Sequence, residues 1–359
     1  MKKLDKSQVS PAASRSVSST EVAKLAGVSQ SSVSRVFGAG AGVSPAVRDK
    51  VMAAAAALNY HPNALPGILQ TGKSGIVAII IGGFYNPFFT RFLELLSTAL
   101  RARKLQVMLV QADSDSALDE VVGDLARYRI DAVFSALSIR SERVAEQLNA
   151  YKIPIVTLNS RIAGQFIGTV SSDNLGAGAI AARFLQARGC RQVAYLAGRD
   201  SVPQNERQKG FFEEAQRLGL NTPLYRVAGF SYEEGYQGAL AMRNAEAIPD
   251  GIFCVNDLVA FGAIDAIRHE WKLRVPEDVQ IIGYDNIPMT AWRSHNITTF
   301  DQNMTELVAG ALALVDDLPH RHTATVQPTI VERGTTIGWG GAHPLTDVSK
   351  IDSGSCIDR

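Results

Sequence analysis

Apolar positions along the chain fall into two regimes. Residues 1–17 are a Lys/Ser-rich stretch without periodicity, which predicts a disordered leader. Between residues 18 and 62 the apolar residues recur at helical spacing. Ser18-Ser19-Thr20-Glu21 spells a capping box, which predicts a short helix over about 19–26 that turns Val22, Ala23 and Ala26 inward. Gly27 stops it, Val28 is the apolar residue of the turn, and Ser29 caps a second helix to about Phe37. Val33, Val36 and Phe37 form its inner stripe. Gly38 to Gly42 reads as a loose connection, and Ser44-Pro45 opens a third helix that runs to Leu58.

From Gly75 onward the pattern changes to short apolar runs of strand length: Gly75–Ile81, Leu105–Val110, Ala132–Ala136, Pro154–Leu158, Gln192–Ala197, Gly251–Val255 and Val279–Gly283. Amphipathic stretches separate them, among them Pro87–Arg103, Asn174–Arg188, Glu206–Leu218 and Leu258–Glu270. Regular alternation of strand and helix implies parallel sheets covered on both faces. The segment exceeds the usual size of one sheet, so two doubly wound α/β lobes are expected beside a small all-α head. In such folds ligands sit beyond the carboxyl ends of strands.

Charge sharpens this division. The chain has 359 residues and a net charge of +1, but residues 1–72 hold eight Lys/Arg against three acids. That is +5 for the head and −4 for the rest, the asymmetry expected when only the head meets a polyanion. Two short helices joined by Ala26-Gly27-Val28-Ser29 and closed by a third describe a helix-turn-helix. Gln30, Ser31, Ser34 and Arg35 project away from its apolar stripe. Arg35 can pair with guanine or phosphate, and Gln30 with adenine. A small helical interaction domain with a polar surface is the competing reading.

The run Glu21 to Phe37 (EVAKLAGVSQSSVSRVF), followed by Val43-Ser44, Arg48, Val51 and Leu58-Asn59-Tyr60-x-Pro62-Asn63-Ala64, resembles the headpiece of the lactose-repressor family. By that resemblance Gln30, Ser31 and Arg35 read bases, while Ser29 and Tyr60 lie nearer phosphates. The family continues into a hinge helix that folds on operator DNA and wedges a leucine into the minor groove. The matching stretch starts at Asn63, counted among the DNA-side residues, and places the wedge at Leu69. Here the chain departs from the family, with Pro66-Gly67 in place of alanine and a polar residue. Proline disfavours helical geometry at Leu65 and glycine costs about 1 kcal/mol relative to alanine, so a weakened helix, disordered without DNA, is expected. An ordinary linker leucine is the alternative for Leu69.

The resemblance extends through Asn86-Pro87-Phe88-Phe89, Arg207-x-x-Gly210, Asn256-Asp257-x-x-Ala260-x-Gly262, Gly283-Tyr284-Asp285-Asn286 and Arg333-Gly334-Thr335-Thr336. It implies an effector domain similar to periplasmic sugar-binding proteins, with a cleft between lobes and chain crossings near residues 172 and 301 and again near the C-terminus. Candidate effector residues are Phe84, Asn159, Arg207, Phe230, Asn256 and Asp285, most of them just after strands. Paired donors and acceptors beside an aromatic platform suit a polyhydroxylated ligand. Each has a bland alternative: Asn256-Asp257 as a helix cap, Asp285 as a turn residue, Arg207 as a surface or carboxylate-paired arginine, and Phe84 and Phe230 as lobe packing. Gly83 and Asn159 stand where many members carry aspartate, which departs from the hexose-type pattern.

The expected organisation is therefore a leader 1–17, a headpiece 18–62, a hinge 63–73, an effector and dimerisation domain 74–338, and a polar tail 339–359 without heptads. Lobe 1 is expected over about 74–172 and 302–325, lobe 2 over about 173–301 and 326–338. The resemblance implies a repressor that binds palindromic operator DNA as a homodimer and answers to a sugar or sugar derivative. A solute-binding protein that does not bind DNA is the rival reading. Catalytic residues, cofactor and metal site are expected to be absent: His320-x-His322 has no further ligand nearby, and no phosphate-binding glycine motif follows a strand. Three widely spaced cysteines, no apolar run of membrane-spanning length and no export segment point to the cytoplasm.

Overall fold

The computed structural model describes residues 17–38, 42–61, 72–82, 85–112, 118–139, 141–243 and 248–338. The expectations placed on the leader up to residue 16, on Asn63, Pro66, Gly67 and Leu69 of the hinge, on Gly83 and Phe84, and on the tail from 339 lie outside them. The chain divides into two compact units, Met1–Ser74 and Gly75–Arg359.

In the first unit, helices α1 (Ser19–Ala26), α2 (Gln30–Phe37) and α3 (Pro45–Ala57) each begin at a serine cap. Ser18 accepts from Glu21 N while Glu21 reaches back to Ser18 N at 2.7 Å, so two of the helix's orphan donors are satisfied reciprocally. Gly27 ends α1 in the left-handed region (φ 65°), where a side chain would be strained. The core is small: Val22, Val33 and Val51 are fully buried, joined by Ala23, Val36, Ala54 and Ala55. Ala26 and Phe37 are only partly covered, and Phe37 closes the rim with an edge-on contact to Tyr60 at 5.7 Å.

The second unit contains two six-stranded sheets. Lobe 1 is built on β1 (Ile76–Ile81), β2 (Gln106–Gln111), β3 (Ala132–Ser135), β4 (Ile155–Leu158) and β5 (Ile167–Ser172). Lobe 2 is built on β6 (Val193–Ala197), β7 (Leu224–Val227), β8 (Gly251–Cys254), β9 (Gln280–Tyr284) and β10 (Thr298–Asp301). Each sheet takes one more strand from the end of the chain, β11 (Thr323–Val326) beside β5 and β12 (Thr329–Val331) beside β10. The backbone thus passes between lobes three times: after Ser172, around residues 301–303, and between Val326 and Thr329. All pairings are parallel except β10 with β12, which returns antiparallel, so the second sheet is mixed.

Central strands are buried on both faces, as a sheet covered by helices on each side requires. The covering helices are α4 (Pro87–Ala102), α5 (Leu118–Ala126), α6 (Glu142–Ala150), α7 (Asn174–Ala187), α8 (Val202–Arg217), α9 (Tyr232–Met242), α10 (Asp257–Ala266) and α11 (Met304–Asp317). Among the described residues, no helix is long and apolar enough to cross a membrane.

Candidate functional site

On α2, Gln30, Ser31, Ser34 and Arg35 are exposed, as is the cap Ser29. The interior of the small unit takes only Val33 and Val36 from this helix. The outward side chains bond mostly to one another: Ser29 Oγ lies 2.8 Å from Ser31 Oγ, and Arg35 Nη2 donates to Ser31 Oγ at 3.5 Å. Gln30 Nε2 donates to Ser19 Oγ at 3.0 Å, which ties the start of α2 to α1. Surface bonds of this kind exchange for other polar partners at little net cost. Tyr60 is different: half-buried and packed on Phe37, it contributes to the core as well as to the surface.

In the second unit, loops after strands of both lobes line a cavity of about 720 Å³. Asn159, Arg207, Phe230, Asn256 and Asp285 all reach it, although more than a hundred residues separate the first from the last. Its remaining wall is largely apolar, with Phe88, Phe89, Leu137, Ile139 and Ile162. An apolar wall with a few convergent polar groups suits a small ligand carrying hydroxyls.

Arg207 does not open its helix, as the sequence suggested. The helix starts at Val202, which puts Arg207 in its second turn and turned inward. Only 6% of it is accessible. Close packing of α7 on α8 brings it there: a β-carbon at Gly178 would overlap the Arg207 carbonyl, and one at Gly210 would overlap that of Leu175. Its Nη1 donates to Asn174 Oδ1 at 2.5 Å, and the guanidinium lies 4.1 Å from the centre of the Tyr284 ring. Its Nε has no partner although it is buried. A buried donor without an acceptor is costly.

Asp285 follows β9 with φ 117°, a backbone conformation rare for a residue with a side chain. The turn is pinned from beneath by the fully buried Asp257, which accepts from Ile287 N at 2.9 Å and Thr299 Oγ1 at 2.5 Å. Asp285 itself accepts from Asn86 Nδ2 at 3.1 Å and from Gln302 Nε2 at 2.6 Å. One face of Asp285 is open to the cavity, yet burial by the surrounding protein pushes its carboxyl up to about 6, against the opposing pull of Asn86, Arg207 and Gln302. Burial, reinforced by the charge of Asp285, also raises Asp257.

Asn256 fulfils the capping reading and lines the cavity as well. Its Oδ1 accepts from Val259 N at the start of α10, and its Nδ2 donates to the Phe230 carbonyl at 3.0 Å. It therefore fixes the backbone under the Phe230 ring. Asn159 adopts φ 54° and accepts weakly from Asn174 at 3.4 Å.

Three polar residues of this site escaped the sequence reading. Asn86 was absorbed by its resemblance and by Pro87 after it; its Oδ1 does cap α4 at Phe88 N (3.0 Å), but its Nδ2 faces the cavity wall. Gln302 follows a Thr-rich strand that the apolar pattern did not mark. Asn174, buried at the start of α7, joins Arg207 to Asn159.

Residues 20–63 match the family described as bacterial regulatory proteins, lacI family, and residues 182–336 match the periplasmic binding protein-like domain. The chain is 29% identical to the ribose operon repressor of Escherichia coli (strain K12) over 87% of its own length and 94% of that protein. It is 30% identical to the transcriptional regulator CelR of Thermobifida fusca, over 85% and 93%. Among solved structures, a lac repressor dimer bound to operator and an anti-inducer is similar with a TM-score of 0.80 at 25% identity, covering 90% of this chain and all (100%) of that one. A CelR–cellobiose complex is similar at 0.66 and 25%, covering 89% and 99%.

Proposed function

The chain belongs to the lacI family of bacterial regulatory proteins, and from that premise we propose that it is a repressor whose affinity for operator DNA is set by a sugar-like effector bound between its two lobes. The observation that carries this reading is the presence in one chain of a capped helix-turn-helix and of a two-lobed cavity lined by Arg207, Asp285 and Phe230.

At the DNA, Gln30, Ser31 and Arg35 contact base edges from the major groove with Ser34 beside them, Ser29 and Tyr60 stand on the phosphate side, Asn63 opens the hinge on the DNA side and Leu69 wedges into the minor groove. Palindromic DNA and a homodimer go together, because two heads on two half-sites nearly add their binding free energies. A dimer is the state named for the similar lac repressor structure. DNA as the target places the chain in the cytoplasm.

At the effector, a ring face lies on Phe230, hydroxyls donate to Asp285, and an acceptor oxygen takes the Arg207 guanidinium. Binding changes the relative angle of the lobes and with it the population of the DNA-competent state. A mobility-shift assay on the intergenic DNA upstream of the gene, with a panel of sugars, sugar acids and nucleobases, tests the reading. Retardation that one panel member changes supports it. No retardation at low salt under any condition refutes it.

A further inference from the structure

Among the described residues, a long Asn174 Nδ2 to Asn159 Oδ1 contact (3.4 Å) joins the lobes beside two shorter side-chain bridges, one deep and one at the rim. At depth, Asn86 of lobe 1 donates to Asp285 of lobe 2 (3.1 Å). Asp285 is held in turn by Gln302, on the second crossing segment, whose Oε1 accepts from Ser172 Oγ at 2.7 Å on the first. A single carboxylate thus links the head of α4, lobe 2 and both crossing segments. At the rim, Arg161 of lobe 1 pairs with Glu206 of lobe 2 at 3.0 Å, with the arginine side chain 63% exposed.

The two bridges differ in strength. The rim pair is solvated, and such pairs are weak and screened by salt. The deep bridge gives a poorly solvated carboxylate two amide donors, and losing one leaves a buried charge short of partners. Asn86 also spends its other atom capping α4 at Phe88 N. Lobe contact and helix start are therefore joined in one carboxamide.

We propose that Asn86 and Asp285 form a latch that holds the lobes together in the absence of effector, with Arg161–Glu206 as its minor outer contact. A ligand hydroxyl that approaches Asp285 meets a carboxylate already engaged by the opposite lobe. Effector binding and lobe contact then compete for, or share, the same oxygens, which gives the ligand a differential hold on the two lobe arrangements.

Hydrogen exchange on the full-length protein without added sugar or DNA tests this, so its failure leaves the functional reading standing. Asn86→Ser keeps a capping oxygen for α4 but removes the reach to Asp285. Exchange is expected to rise about threefold or more in both facing wall segments, 136–139 and 200–206, with β1 and the interior of α4 unchanged. Unchanged walls overturn the proposal, and so does a rise confined to α4, which would be a capping effect. Arg161→Gln is expected to give a smaller rise, reproduced in the unsubstituted chain by about 0.5 M sodium chloride. A salt effect as large as that of Asn86→Ser overturns the assignment to Asn86.

Discussion

Helix α2 and the cavity hold their polar residues in opposite ways. Ser29, Ser31, Ser34 and Arg35 stand on the outside of a unit whose core they do not enter. Arg207, Asn256 and Gln302 are buried, and each is hydrogen-bonded to a neighbour that also serves the site. The exposed residues of α2 are separable from folding, while the cavity residues belong to the scaffold that presents them. Substitution therefore has different consequences in the two regions.

The largest effect is expected for Arg207→Ala. Removing it leaves Asn174 Oδ1 only its longer bond from Tyr284 Oη (3.3 Å) and opens space above the Tyr284 ring, so urea unfolding of the second unit should lose about 3 kcal/mol. Effector response should vanish with it. If the variant loses the response at unchanged stability, the cavity is as separable as α2 and the contrast fails. Arg35→Ala should do the reverse: stability within about 0.5 kcal/mol of the parent, and base preference relaxed at one operator position by about 1–3 kcal/mol. Binding assays on a set of single-position operator variants read this directly. A uniform loss across all of them would make Arg35 a phosphate contact.

Ser44→Ala removes the cap of α3, where Ser44 Oγ accepts from Val47 N. It should cost about 1 kcal/mol, confined to the melting of the small unit.

The finest test is pH. The Asp285 carboxyl lies at about 6 in the folded protein against an ordinary 3.8, so the native state holds more protons than the unfolded one between those values. Its contribution is complete below about 4 and is lost as pH rises through about 6. Asp285→Asn should flatten that part of the stability profile, and an unaltered slope would mean that burial does not raise this group.

How much of this was readable in the chain follows the same contrast. The three helices of the small unit announce themselves because their signals are local: a serine cap and an inward stripe recur within a few residues, and Gly27 marks the turn. In the second unit the apolar strands were legible, but β5, β7, β10, β11 and β12 were not. Four of them carry threonine or serine where an apolar run was sought, and Leu224–Val227 is an edge strand with mostly exposed side chains. Helix α6 buries only Ala145 and Leu148 and so shows little stripe. Of the named cavity residues, Asn159, Arg207, Phe230, Asn256 and Asp285 converge and Phe84 lies outside the described residues, while Asn86, Asn174 and Gln302 stayed hidden. Each sits in a position with an adequate local explanation, and only the fold brings their far ends together.

Coupling between the two regions is tested by measuring affinity for an operator fragment with and without a saturating concentration of a sugar that stabilises the protein to heat, in the parent and in Arg207→Ala. Operator affinity is expected to change about fivefold or more in the parent, with the same factor in sugar affinity when DNA is added, and not at all in the variant. Identical operator affinity with and without that sugar would contradict it.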